Sequence, residues 1–163
     1  MYNIYTMNIL VILYLVGLTF VSVSGVCPNG WTRHGPTCYH FSHDTEDWPG
    51  ALIMCERMGG NLVEVDGADE DKYLVSQVKV FNQAYWIGLS DVMEEGSWIW
   101  MVSKNPIESG SYSNWSPGEP DNIQSNENCA ELWPSTGQWN DGQCHVPHHY
   151  ICEKSDEVTD IIG

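Results

Sequence analysis

Six cysteines constrain this chain more than any other sequence feature. They are Cys27, Cys38, Cys55, Cys129, Cys144 and Cys152. An even number of cysteines without a CxxC pair is typical of a disulfide framework in an exported protein, and not of a zinc ribbon or a redox site. We therefore expect three disulfides, although the spacing alone leaves many pairings open.

The first 25 residues carry no Asp, Glu, Lys or Arg, and residues 9–21 form an apolar run that ends in small residues. This pattern predicts a signal peptide at 1–25, cleaved after Gly25. The run is shorter than the about 20 residues that a membrane-spanning helix needs. We expect a secreted, extracellular protein without a membrane span, a folded domain at 26–154 and an acidic C-terminal tail at 155–163.

The formal net charge of -16 falls entirely on the part after the predicted signal peptide. Nucleic acid is therefore an unsuitable partner, because phosphate binding requires patches of Lys and Arg. A bound cation suits this charge better. The chain also lacks GxSxG and HExxH motifs and a cysteine predicted to stay unpaired, so we expect no enzymatic activity.

Hydrophobic periodicity and turn residues predict an α+β domain. Two helices are expected at 44–60 and 67–81, each with apolar residues at helical spacing. Strands are expected at 61–65, 84–91, 97–102, 129–133, 137–144 and 148–153. The long segment between strands, 103–131, is rich in Pro, Gly, Asn and Ser, and a loop of this length is usually disordered or functional.

Oxygen-bearing side chains are concentrated in this loop. The stretch "GEPDNIQSNENC" contains Glu119, Asp121 and Glu127, and the later stretch "QWNDGQC" adds Asn140 and Asp141. Carboxylate and amide oxygens are the ligands that Ca²⁺ prefers. The Glu-Pro-Asp spacing puts Glu119 and Asp121 on one face of an extended chain, and a cis bond before the proline would bring them closer.

The motifs that surround this loop resemble those of the secreted C-type lectins, in their long, perlucin-like invertebrate form. The matching stretches are "CPNGW", "CYHF", "WPGALIMC", "WIGLSD", "SNWSPGEPDN", "ENCAEL", "WNDGQC" and "YICE". The resemblance implies two helices flanking two small antiparallel sheets, with a long calcium-binding loop. It also implies the disulfides Cys27–Cys38, Cys55–Cys152 and Cys129–Cys144.

The same resemblance implies a calcium site that also binds the sugar. Its ligands for both would be Glu119, Asp121, Glu127, Asn140 and Asp141. In such lectins two vicinal hydroxyls of a terminal mannose, GlcNAc or fucose coordinate the calcium. The implied partners are glycans on microbial or cell surfaces, as in innate immune recognition, and the implied assembly is at most a noncovalent homo-oligomer.

One motif departs from the family pattern. Mannose-type members carry Glu-Pro-Asn and galactose-type members carry Gln-Pro-Asp, whereas this chain has Glu119, Pro120 and Asp121. Galactose or GalNAc binding is therefore an alternative to mannose-type binding. A shell or calcified-matrix protein on the same fold is a further alternative, which the acidic charge favours.

A second calcium site is a weaker expectation from the resemblance. Asp91 and Glu95 match its acidic ligands, but amides replace acids at Asn122 and Asn128. Histidines at 145, 148 and 149 are interpreted as surface or packing residues and not as zinc ligands. The sequon at Asn114 is expected to carry no glycan, because the neighbouring Trp115 predicts a packed turn.

Overall fold

The computed structural model describes residues 26–108 and 110–156, so the predicted signal peptide lies outside it. This part contains two α-helices, α1 (Trp48–Arg57) and α2 (Ala68–Phe81). Its strands are β1 (Thr32–His34), β2 (Thr37–Phe41), β3 (Asn61–Leu62), β4 (Tyr85–Ser90), β5 (Ile99–Trp100), β6 (Cys129–Leu132), β7 (Trp139–Gly142) and β8 (His149–Ser155). None of the helices in the described ranges is long and apolar enough to cross a membrane.

Both helices form where the periodicity predicts them. Helix α1 begins after Asp47, whose side chain accepts a hydrogen bond from the N–H of Gly50 at 2.8 Å, and this cap satisfies one of the otherwise unpaired N–H groups of the first turn. Helix α2 has three acidic residues in its first turn, where they favour the positive end of the helix dipole, and it ends at Asn82 in a left-handed conformation. Each helix buries one face against the sheet.

The strands form one mixed sheet in the order β1-β2-β8-β4-β6-β7, with β3 also paired to β8 and β5 to β4. The α+β class is confirmed, and both predicted antiparallel parts are present. They are joined by a parallel pair of β4 and β8, in which Tyr85 lies opposite His149 and Trp86 opposite Tyr150. Strands β1 and β2 precede the first helix and are absent from the pattern-based prediction; β1 pairs with β2, and β2 pairs with β8.

All three disulfides that the resemblance implied are present: Cys27–Cys38, Cys55–Cys152 and Cys129–Cys144. The second connects α1 to β8 across 97 positions of sequence. Because the described residues include all six cysteines and none is free, no thiol remains for a covalent oligomer.

The folded unit extends slightly beyond the predicted boundary at residue 154. Strand β8 ends at Ser155, and the backbone N–H of Asp156 donates to the carbonyl of Pro36 at 2.8 Å. The carboxylate of Asp156 also pairs with the guanidinium of Arg33 at 2.7 Å. The first two residues of the predicted acidic tail are therefore ordered, and residues 157–163 lie outside the described range.

Candidate functional site

The predicted site residues lie on two neighbouring pieces of chain. The loop between β5 and β6 carries Glu119, Asp121 and Glu127, and β7 carries Asn140 and Asp141. Strands β6 and β7 form a hairpin, which the Cys129–Cys144 disulfide closes at one end. The loop folds back onto β7, so side chains about 20 positions apart in sequence meet.

Aromatic packing orders the first half of this loop. The ring of Trp115 lies 4.7 Å from that of Trp98 and 5.8 Å from that of Trp139, measured between centroids. The backbone also pairs, because Ser116 N–H donates to the carbonyl of Trp139 at 2.8 Å. The amide nitrogen of Asn114 donates to Asp71 and to the carbonyl of Gly137, so this side chain is engaged within the fold. Clustered oxygens are thus not the sole source of order in the loop.

Asp141 is the centre of the acidic cluster and is fully buried. Its two carboxylate oxygens accept hydrogen bonds from the backbone N–H groups of Asp121 at 3.2 Å and Asn122 at 2.8 Å. Carboxylate oxygens of Glu119, Asp121 and Asp141 lie within 4.8 Å of one another. The structure therefore brings together three of the five predicted ligands at distances that one cation can bridge.

Glu119 has a carboxylate that the described residues leave partly without hydrogen-bond partners. Burial, followed by contact with Asp141 and the charge of Asp121, raises the pKa of Glu119 to about 7. One of its oxygens, Oε2, is buried without a hydrogen-bond partner. The bond between Glu119 and Pro120 is cis. A buried, unpaired carboxylate oxygen beside two other acids fits a divalent cation, because a cation would satisfy all three groups.

Glu127 faces the same cluster from a short turn of the loop. Its Oε2 accepts the N–H of Ile123 at 3.0 Å, and its own N–H donates to Oδ1 of Asn122 at 3.0 Å. Burial raises the pKa of Glu127, and the charges of Asp141 and Asp121 add to this effect. Glu127 thus belongs electrostatically to the cluster, although its oxygens lie outside the closest group of three.

Asn140 lies beside the cluster, opposite Glu131 in the β6–β7 hairpin. Its Nδ2 donates to Oε1 of Glu131 at 3.2 Å and also to the backbone carbonyl of Asp141. These contacts connect the amide of Asn140 to both strands of the hairpin that carries the acidic cluster.

The residues predicted for a second calcium site are partly assembled. Asp91 is buried, and its Oδ2 accepts the N–H of Gly96 at 2.8 Å. Its Oδ1 and the Oδ1 of Asn128 are both buried without hydrogen-bond partners, and burial followed by the charge of Glu95 raises the pKa of Asp91. The side-chain oxygen of Asn122, in contrast, is engaged by Glu127.

The sequence analysis did not identify Glu131, a buried acid that lies opposite Asn140, as a residue of interest. This residue is buried, and burial raises the pKa of its carboxyl group to about 7. Nε2 of His148 lies 3.1 Å from Oε2 of Glu131, without the alignment of a hydrogen bond, and the His148 ring packs edge-on against Trp86. Burial lowers the pKa of His148, and its contact with Trp86 fits the interpretation of this histidine as a packing residue. A charged residue inside an otherwise buried strand was the available signal for Glu131.

Comparison with protein families and curated proteins gives consistent matches. Residues 44–154 match the Lectin C-type domain family. A Perlucin-like protein from Mytilus galloprovincialis is 35% identical over 149 residues, which cover 88% of this chain and 93% of the relative. C-type lectin domain family 4 member M from Symphalangus syndactylus is 37% identical over 128 residues, covering 78% of this chain but only 29% of that relative.

Solved structures agree with these matches. The carbohydrate-recognition domain of the mouse scavenger receptor C-type lectin has a TM-score of 0.75 and 35% identity, and the match covers 81% of this chain and 100% of that one. The corresponding domain of cow CD23, determined in the presence of a GlcNAc2Man3 oligosaccharide, has a TM-score of 0.74 and 33% identity, with 82% and 98% covered.

Proposed function

The chain belongs to the C-type lectin domain family, and from this premise we propose that it binds terminal sugars through a calcium ion. The proposed ligands are Glu119, Asp121, Glu127, Asn140 and Asp141. Family membership places the chain among carbohydrate-binding domains and not among enzymes. The observation that carries the proposal is the buried, unpartnered Oε2 of Glu119 beside the carboxylates of Asp121 and Asp141.

The oxygen atoms of these side chains suit the binding of calcium and of a sugar. Calcium coordinates about 6–8 oxygens, so an ion held here would accept two sugar hydroxyls in addition to the protein oxygens. Glu119 and Asp121 carry only acceptor oxygens when ionised. A hydroxyl between them donates its proton to one carboxylate and finds no amide donor for its remaining lone pair. We infer looser discrimination between sugar epimers than an acid and amide pair would provide.

Mannose-type sugars are the proposed ligands, because Glu119 is the acid of mannose-type members; the oligosaccharide in the cow CD23 structure is also of mannose type. Galactose or GalNAc is the alternative, because Asp121 is the acid of galactose-type members. The test is a glycan array probed with and without EDTA. We expect signals on terminal mannose, GlcNAc or fucose that disappear in EDTA. Signals that survive EDTA, or no signals in calcium, would contradict the proposed site.

A substitution at Asp121 tests the hydrogen-bond argument directly. Asp121→Asn would place an amide donor beside Glu119 and complete the donor and acceptor pair for one hydroxyl. We expect mannose to bind about fivefold more tightly, equivalent to about 1 kcal/mol for one recovered hydrogen bond. Calcium should bind more weakly, because the site loses one negative charge. The measurement is titration with methyl mannoside and methyl galactoside at saturating calcium.

Glu119→Gln is the matched variant, since it creates the opposite order of donor and acceptor. We expect it to move the preference toward galactose. If Asp121→Asn leaves the ratio of mannose to galactose affinity unchanged at saturating calcium, the hydrogen-bond account is wrong. Selectivity would then depend on neighbouring side chains such as the exposed Trp133.

The wider role follows from the family and the predicted export signal. We propose a secreted protein that recognises glycans on microbial or cell surfaces, as in innate immunity, with any homo-oligomer held together noncovalently. We also propose that Asp91, Glu95 and Asn128 hold a second calcium ion. The buried, unpartnered side-chain oxygens of Asp91 and Asn128 support this second site.

A further inference from the structure

A cavity of about 520 Å³ lies where the two ends of the described chain meet. Its lining includes Val26 and Cys38 from the N-terminal end and Lys154 and Asp156 from the C-terminal end. None of its lining residues belongs to the acidic cluster of the proposed calcium site. The charged groups of this cavity therefore have no part in the proposed binding of a sugar.

Strand pairing and a disulfide bring these residues to one face of the sheet. Cys38 of β2 lies opposite Lys154 of β8, and Asp156 follows two positions later, so the three side chains project from the same face. The Cys27–Cys38 bridge, with 5.6 Å between its Cα atoms, holds the neighbouring Val26 at this face too. The two ends of the domain thus meet although they are far apart in sequence.

Asp156 has one carboxylate oxygen that the described residues leave without a partner. The side chain is 5% exposed, and its Oδ2 pairs with the guanidinium of Arg33 at 2.7 Å. Its other oxygen, Oδ1, is buried without a hydrogen-bond partner. A buried, ionised oxygen is costly unless a donor or a cation satisfies it, so this position favours a positively charged group.

The lysine that lines the same cavity is directed elsewhere. Nζ of Lys154 lies 4.1 Å from the centroid of the Trp31 ring and donates to the carbonyl of Met58 at 3.2 Å. These contacts hold the charge of Lys154 over Trp31 and not at Oδ1 of Asp156. Since Arg33 pairs with Oδ2, a further cation is needed to satisfy Oδ1.

We propose that this cation is the α-ammonium of Val26, which removal of the predicted signal peptide creates. Hydrolysis of the Gly25–Val26 bond leaves a carboxylate on Gly25 and a primary amine on Val26, and this amine is protonated at neutral pH. Val26 lines the cavity and is 91% exposed, so little packing restrains its nitrogen from turning toward Asp156. The resulting ion pair connects the first residue of the mature chain to the end of β8, and it forms only after export.

The first test identifies the mature N-terminus and titrates it. The intact mass of the protein secreted from a eukaryotic host should correspond to a chain that begins at Val26. NMR of the Val26 Cα shift against pH should show the α-amine binding its proton at least about threefold more tightly than in Asp156→Asn, because a nearby carboxylate favours the charged amine. Asp69→Asn, which changes an exposed acid outside the cavity lining, should match the wild type.

A thermal double-mutant cycle separates this ion pair from the pair with Arg33. The mature wild type and Asp156→Asn are each melted with a free and with an acetylated α-amine. We expect acetylation to lower the Tm of the wild type by about 3 °C at pH 7 and to leave that of Asp156→Asn unchanged. Both Asp156→Asn proteins lack the Arg33 pair, so its loss cancels in the comparison.

The stabilisation by the α-ammonium also has a defined pH dependence. An amine whose pKa is raised on folding stabilises the fold fully below its ordinary pKa of about 8, and this stabilisation is lost as the pH rises through the raised value. The difference in Tm between the free and acetylated wild type should therefore disappear near about pH 10.

Three results would overturn the inference. They are a mature chain that begins at another residue, an α-amine that binds its proton no more tightly than in Asp156→Asn, and equal effects of acetylation on both proteins. If Asp156→Asn does not fold, the wild type decides in about 1 M salt, which screens distant charges. Tighter proton binding by the α-amine in the folded chain than in the urea-unfolded chain then supports the ion pair, and equal binding overturns it.

Discussion

Replacing Asp141 with Asn is expected to abolish calcium-dependent sugar binding, with at least about a 100-fold loss of apparent affinity. Asp141 is fully buried, and carboxylate oxygens of Asp141, Glu119 and Asp121 lie within 4.8 Å of one another. The same carboxylate accepts the backbone N–H groups of Asp121 and Asn122. Asn has the same size but no charge and only one acceptor oxygen, so the proposed calcium site would lose a charged ligand and one backbone N–H group would lose its partner.

The matched control for this prediction is Asp69→Asn. Asp69 is exposed in the first turn of α2 and is not part of the acidic cluster. Affinity for calcium and for methyl mannoside is measured by titration at fixed ionic strength, and circular dichroism monitors the fold. If Asp141→Asn and Asp69→Asn bind sugar equally well, Asp141 is not a ligand and the proposed site is wrong.

Replacing Asp71 with Asn is expected to lower the free energy of unfolding by about 2–4 kcal/mol, the scale for leaving buried donors without an acceptor. Asp71 is 4% exposed, and one oxygen accepts the indole N–H of Trp139 at 2.8 Å. The other accepts Nδ2 of Asn114 at 2.7 Å, and the Tyr112 hydroxyl also interacts with the carboxylate. An amide at this position presents its own N–H₂ group to one of these donors.

This second prediction is measured by equilibrium unfolding in guanidinium chloride with the disulfides intact. Asp69→Asn again serves as the control, because it lies two positions away on the same helix and should change stability by no more than about 0.5 kcal/mol. Folded Asp71→Asn should still bind sugar at saturating calcium, since Asp71 does not touch the acidic cluster. A stability equal to that of the control would show that this network adds little to the fold.

Local sequence patterns were sufficient for several features of this protein. The positions of α1 and α2 follow from apolar spacing and stop residues, and in α1 also from an N-cap, all of which act within a few positions. The loop with Glu119, Asp121 and Glu127 is conspicuous because its oxygens are close in sequence. The three disulfide pairs, in contrast, came from the family resemblance, since spacing alone did not choose among the pairings.

The sequence by itself determined the class of fold, the two helices and the candidate calcium ligands, because each depends on short-range spacing or on a recognisable set of motifs. Only the tertiary structure decided which acids are buried and what they contact. In sequence, Asp71 is one of three acids in a helix's first turn, yet it bonds to Trp139, 68 positions away. Glu131 likewise meets Asn140 only because two strands pair in one register. Burial and partners depend on packing between distant segments, and that packing is absent from any local pattern.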